Sequence, residues 1–134
     1  MKGVLIVDDD LGFAFWLGQT LDGAGYESMP AKSIPDATLL LAELRVPIDV
    51  LVLNPALPGC AVFEHTLRSS KGDLKVICLT GDADPEPLPS ADVWRSKPDV
   101  ADELSRLEWL QVIQSLFANG LTAGCAGFPL FSAR

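Results

Sequence analysis

Apolar and polar positions along the chain repeat one theme: a short apolar run, a turn, then apolar residues three or four apart. Val4-Leu5-Ile6-Val7 stops at Asp8-Asp9-Asp10. Phe13, Trp16, Leu17, Leu21 and Ala24 then mark one face of a helix, with Asp10 as its N-cap and Gly25 as its stop. Tyr26 to Met29 is a weaker second strand. Pro35 suits the first turn of a second helix that carries Ala37, Leu40, Leu41 and Leu44 and ends before Pro47. Ile48 to Leu53 is the purest apolar run, bounded by turn residues, and reads as a strand buried on both faces. A third helix covers about Ala61 to Ser69, and Lys75 to Leu79 makes a fourth strand that ends at Thr80-Gly81.

The alternation then breaks. Between Asp82 and Ser90, prolines stand at 85, 87 and 89. Each removes a backbone donor and pushes its predecessor toward extended geometry, so a polyproline-like segment is expected where a fourth helix would fall. Asp92 to Arg95 is a short fifth strand ending at Ser96-Lys97-Pro98. A long helix from about Asp99 to Phe117 draws apolar positions from Leu104, Leu107, Leu110, Val112, Ile113 and Leu116, with Trp109 off the narrowest stripe. Asn119-Gly120 closes it. The domain is therefore expected to span 1–118, with 119–134 a tail carrying Phe128, Leu130 and Phe131. Strands alternating with helices imply an α/β fold, a parallel sheet covered on both faces. The expected form is flavodoxin-like, a five-stranded (βα)5 three-layer sandwich in order 2-1-3-4-5, with its site where strands 1 and 3 diverge.

Composition narrows the classes. A chain of 134 residues suits one domain with a real core. No apolar run approaches the roughly 20 residues that cross a bilayer, and the N-terminus lacks a cleavable signal pattern, so the cytoplasm is the expected compartment. A formal net charge of −8 repels phosphate backbones and argues against nucleic-acid binding. Three cysteines without C-x-x-C spacing fit reduced thiols, and His65, the only histidine, excludes histidine metal clusters.

Chemistry gathers at the ends of the predicted strands: Asp8-Asp9 after the first, Asn54 after the third, Thr80 after the fourth, Lys97 after the fifth. One polar residue at a strand end means only that the sheet meets water there. Four together are more specific. Paired carboxylates suit a hard cation such as Mg²⁺, and a hydroxyl and an ammonium can bind phosphoryl oxygens.

This set resembles the receiver domains of two-component response regulators. The resemblance runs over residues 3 to 117, through Val4 to Asp10, Gly25-Tyr26-Glu27, Asp49 to Leu53 with Leu57-Pro58-Gly59, Leu79-Thr80-Gly81 and Ser96-Lys97-Pro98. It implies that Asp8 and Asp9 are the acidic metal-binding pair, that Thr80 and Lys97 contact the phosphoryl group, and that Trp94 stands at the aromatic switch position. It also implies histidine kinases, phosphotransfer proteins or other signalling proteins as partners. Departures from the family bear on all of this. Asn54 replaces the aspartate that accepts the phosphoryl group, and an uncharged amide is a poor nucleophile. Deamidation is blocked as well, because the cyclic imide needs a backbone N–H that Pro55 lacks. Val62 replaces a customary glycine, and Trp94 is bulkier than the usual Tyr or Phe.

The expectation is thus a single-domain, atypical receiver, not an enzyme, that works by protein contact. No cofactor is required, and any Mg²⁺ held by Asp8, Asp9 and Asn54 binds weakly. The Asn54 amide can instead donate to an Asp carboxylate, and Lys97 can pair with Asp9, relieving repulsion without an ion. A homodimer would use a face other than the family's common one. Two alternatives stand beside this reading. In a haloacid-dehalogenase-type phosphohydrolase, Asp8 and Asp10 would form the strand-end Asp-x-Asp, although Leu11-Gly12 follows where Gly-Thr is expected. In a small-ligand-binding pseudo-receiver, the altered pocket would be the site.

Overall fold

The computed structural model describes residues 2–43, 47–80, 90–99 and 102–122. In chain order the elements are β1 (Gly3–Val7), α1 (Leu11–Gly23), β2 (Glu27–Ala31), α2 (Ile34–Glu43), β3 (Ile48–Leu53), α3 (Cys60–Ser70), β4 (Lys75–Thr80), β5 (Val93–Ser96) and α4 (Glu103–Thr122). The five strands form one sheet in the order β2-β1-β3-β4-β5, and every pairing is parallel. This is the flavodoxin-like arrangement that the alternation implies. Among the described residues no helix separates β4 from β5. The expected polyproline-like stretch, Asp82 to Ser90, lies outside the described residues except for Ser90 itself.

Strand parity divides the core into two layers. Leu5, Val7, Leu51, Leu53, Val76 and Cys78 pack on one face with Ala37 of α2 and with Cys60 and Phe63 of α3. Val4, Ile6, Val50, Val52, Ile77 and Leu79 pack on the other with Phe13, Leu17 and Leu21 of α1 and with Trp109, Ile113 and Leu116 of α4. Central β3 is apolar at five of six positions because both its faces are covered. Pro30 sits in β2, an outer strand, where a missing donor costs the ladder least.

Caps fix the helix boundaries. Asp10 caps α1 as expected, accepting the Phe13 N–H at 3.1 Å. Gly25 turns the chain out of α1 with φ +95°, a left-handed conformation that suits glycine. Gly59 (φ +85°) does the same at the entrance to α3. Ser33 caps α2, with the Asp36 N–H donating to its hydroxyl.

The last helix departs from expectation in three ways. It begins at Glu103 rather than near Asp99, where Asp102 accepts the Ser105 N–H at 2.9 Å and supplies the cap. It also runs through Asn119 and Gly120 to Thr122, so a division at 118/119 falls inside α4. Neither residue stops the helix, because an interior glycine costs only about 1 kcal/mol and the left-handed turn that would end the helix is absent there. Its buried stripe is Trp109, Ile113 and Leu116, while Leu104 and Leu107 are 66% and 50% exposed. On α1, Ala24 likewise lies outside the buried face.

Candidate functional site

The carboxyl ends of β1 and β3 meet at the topological switch of the sheet, because the chain leaves β1 toward β2 on one side and pairs it with β3 on the other. Two backbone bonds hold the rim. The Asn54 N–H donates to the Val7 carbonyl at 3.0 Å, and the Asp8 N–H donates to the Ala31 carbonyl at 3.0 Å. Asp8 and Asn54 thereby leave adjacent strands side by side.

Asp8 is the centre of the site and is 0% exposed. Its Oδ1 accepts from Asn54 Nδ2 at 3.0 Å and from the Asp10 N–H at 3.2 Å. Its Oδ2 lies 2.8 Å from Lys97 Nζ. That ammonium approaches off the hydrogen-bonding direction, so Oδ2 accepts no aligned hydrogen bond and is compensated by charge. Lys97 Nζ also stands 3.5 Å from Asp10 Oδ2 and 5.6 Å from the centre of the Phe13 ring, within cation–π range. Asp10 thus serves twice, capping α1 with one oxygen and facing Lys97 with the other. The Asn54 amide is engaged at both ends, since the Ala56 N–H donates to its Oδ1 at 2.9 Å.

The sequence reading anticipates part of this constellation. Asp8, Asn54 and Lys97 come together, and the Asn54 amide does donate to an Asp carboxylate. Lys97, however, pairs with Asp8 and Asp10 rather than with Asp9, which is exposed. The reason is helical geometry. Asp10 opens α1 and is held by its own cap, which keeps its carboxylate beside Lys97. Thr80 ends β4 opposite Ser96 and is partly buried. Trp94 is paired with Cys78 on β5 and is 44% exposed. His65 is exposed on α3, and Cys78 is a buried core residue. Cys60, by contrast, lies under the loop after Asn54, with its thiol 2.9 Å from the Pro55 carbonyl. Burial pushes that thiol's pKa up, which keeps it protonated and inert.

The oxygens that a divalent ion would need are already committed. Asp8 Oδ1 holds two N–H donors, Asp8 Oδ2 faces an ammonium, and Asn54 Oδ1 holds a backbone donor. Among the described residues no three His, Cys, Asp or Glu side chains converge on a possible cation site. The residues in this arrangement do not fit Mg²⁺.

Burial pulls the Lys97 pKa down, but contact with Asp8 and the charges of Asp8 and Asp10 outweigh it and leave the ammonium above the ordinary lysine value. A raised folded-state pKa stabilises the fold fully below the unfolded lysine value, near 10.5, and that stability is lost as pH rises through the folded value. Tyr26, whose phenol pKa burial also raises, adds a loss in the same direction, since the buried phenol resists ionising as pH climbs past its ordinary value. The Lys97 contribution is isolated by comparison with a variant that keeps Tyr26. Urea midpoints between pH 8 and 11.5 should therefore fall more steeply on the alkaline side in wild type than in Lys97→Gln. Equal slopes would mean the pair contributes nothing.

No profile of a known protein family and no curated sequence matches the chain. Solved structures do match, among them several receiver domains of response regulators. A CheY-like receiver domain protein of Methanospirillum hungatei JF-1 superposes with TM-score 0.73 at 20% identity, covering 92% of this chain and 98% of its own. The beryllofluoride-activated NtrC4 receiver domain, a dimer in solution, gives 0.70 at 26% identity over 90% of this chain and 99% of that one. TrrA of Thermotoga maritima, solved with Mg²⁺ and beryllofluoride, gives 0.64 at 27% identity over 87% and 99%. TrrA in complex with the histidine kinase ThkA gives 0.62 at 27% identity over 87% and 98%. The chain has the fold of response-regulator receiver domains.

Proposed function

We propose that this chain is a receiver-type signalling module of two-component systems that acts by protein contact and takes up no phosphoryl group at Asn54. The observation that carries the reading is the Asn54 side chain itself: an amide at the end of β3, with Nδ2 donating to Asp8 and Oδ1 accepting from Ala56. An acyl phosphate forms only on a carboxylate. Rotating the amide out would break both bonds and still present no nucleophile. Thr80 and Lys97 keep the places of phosphoryl-binding groups, but Lys97 is spent on Asp8. Mg²⁺ binding is correspondingly weak.

The partners in this reading are signalling proteins, a histidine kinase or phosphotransfer protein first. The match to TrrA bound to ThkA supports that class, and the NtrC4 dimer supports self-association as the second mode. Trp94, Leu104 and Leu107 are exposed apolar residues that a protein partner can cover. The reading needs no enzymatic activity. A phosphohydrolase using Asp8 as nucleophile is disfavoured, because that carboxylate is buried and paired with Lys97. A small-ligand reading has one observation in its favour, a cavity of about 360 Å³ lined by Leu11, Phe15, Pro30, Lys32, Asp36 and Leu40. It lies between α1, β2 and α2 and takes no lining from Asn54.

The test is exposure to a phosphoryl donor, or to beryllofluoride with Mg²⁺, followed by intact mass spectrometry and tryptophan fluorescence. Wild type should show neither an added phosphoryl group nor a fluorescence change. Asn54→Asp should regain the nucleophile and label. A labile phosphoryl group on the wild-type chain would end the proposal.

A further inference from the structure

The least expected feature of the site is its charge balance. A fully buried carboxylate, Asp8, has an oxygen that accepts no hydrogen bond. A buried charge without compensation is costly, so something must neutralise it. The Lys97 ammonium does so at 2.8 Å, and Asp10 flanks the same ammonium at 3.5 Å.

We infer that Lys97 is the resident cation of this site: its ammonium, seated between Asp8 and Asp10, does the neutralising work of a divalent ion and excludes one, and removing it uncovers a divalent-cation site on Asp8 and Asp10. Three observations support the assignment. The ammonium contacts both carboxylates while standing over the Phe13 ring, so it is held from more than one side. Asn54 Nδ2 supplies a further partial positive charge to Asp8 Oδ1, completing the neutralisation. Asp9, the neighbour a bare Asp-Asp pair would recruit, is exposed and outside the cluster. Mg²⁺ and Mn²⁺ are the matching ions, since both favour carboxylate oxygens and tolerate bound waters in an incomplete protein shell. An ammonium and a divalent ion placed between the same two carboxylates repel each other, so the seated ammonium opposes binding of the ion there. The inference stands on geometry and does not rest on the signalling reading. A wild-type chain that accepted a phosphoryl group yet bound no ion unaided would sink that reading and leave this one intact.

The experiment is Mn²⁺ and Mg²⁺ binding to the full chain, by electron paramagnetic resonance and calorimetry, with wild type, Lys97→Gln, Lys97→Arg and Lys97→Gln/Asp10→Asn. Asparagine still caps a helix, so the double variant removes charge without removing the cap. Lys97→Gln should bind Mn²⁺ at least about tenfold more tightly than wild type, because a repelling charge has left. Lys97→Arg should behave as wild type, and the double variant should lose the gain. Melting adds a second readout: millimolar Mg²⁺ should raise the Tm of Lys97→Gln and leave wild type unmoved. If Lys97→Gln is unfolded without metal, refolding on Mg²⁺ addition supports the inference, and failure to refold overturns it. Sub-millimolar Mg²⁺ affinity in wild type overturns it, as does a folded Lys97→Gln with no gain, or a gain that survives loss of the Asp10 charge.

Discussion

Trp109→Ala should destabilise the domain by about 3–5 kcal/mol, the cost of emptying an aromatic-sized space in a packed core. Trp109 is 2% exposed and meets Phe13 edge to face, with ring centres 5.6 Å apart. It is the residue through which the first turns of α4 reach α1 and the layer around Val52, Ile77 and Leu79. The damage should not stop at packing. Phe13 is also the ring beneath Lys97, so loosening Phe13 loosens the Asp8–Lys97 contact. Urea unfolding followed by far-ultraviolet dichroism measures the loss. Leu104→Ala serves as the control and should stay within about 0.5 kcal/mol, since that side chain is 66% exposed.

Arg68→Ala should cost about 2–4 kcal/mol, the range for leaving a buried partner charge unpaired, weighted to its lower end because Arg68 is about a quarter exposed. The guanidinium pairs with Glu64 one turn away, donates to the Leu74 carbonyl at 3.2 Å and the Ser90 carbonyl at 2.8 Å, and reaches Asp92 at 3.0 Å. Asp92 in turn accepts the Val76 N–H at 2.8 Å. One side chain therefore ties α3 to the start of β4 and to the lead into β5. Among the described residues, Glu64, 4% exposed, would keep only the Ser90 hydroxyl at 3.0 Å. Hydrogen exchange should show the amides of β5 losing protection before those of β1 or β3. Arg68→Lys should restore only part of the stability, because a single ammonium cannot reach along the guanidinium's fork of donors. Full stability in Arg68→Ala would show that the network is ornamental.

The strands were legible because burial on both faces leaves little freedom of composition. Val4 to Val7 and Ile48 to Leu53 have few alternative readings, and the order 2-1-3-4-5 was read from the pattern of flavodoxin-like folds. The helix faces were less legible on α4, where apolar residues occur on several sides and docking selects among them. A stripe through Leu104 and Leu107 and a stripe through Trp109, Ile113 and Leu116 are equally periodic on paper. Only contact with Phe13 and the α1 face decides between them.

At the site, residue types were readable and partners were not. Three consecutive aspartates offer Lys97 three choices, and the choice depends on where α1 begins. That boundary buries Asp8, fixes Asp10 and turns Asp9 outward. Glu64 and Arg68 carried a weaker signal, an i, i+4 pair on a predicted helix. Such pairs usually lie in water, and nothing in the spacing announces that this one reaches Ser90 and Asp92.

Pro30 has a consequence for how copies of this chain behave when crowded. An outer strand normally offers a row of unused donors and acceptors on which a second chain can lengthen the sheet. In β2 that row lacks a donor in a strand of only five residues, so growth from this border is interrupted. The two borders of the sheet are therefore unequal as templates, and protection against ribbon-like self-stacking is written into the β2 side by one imino acid.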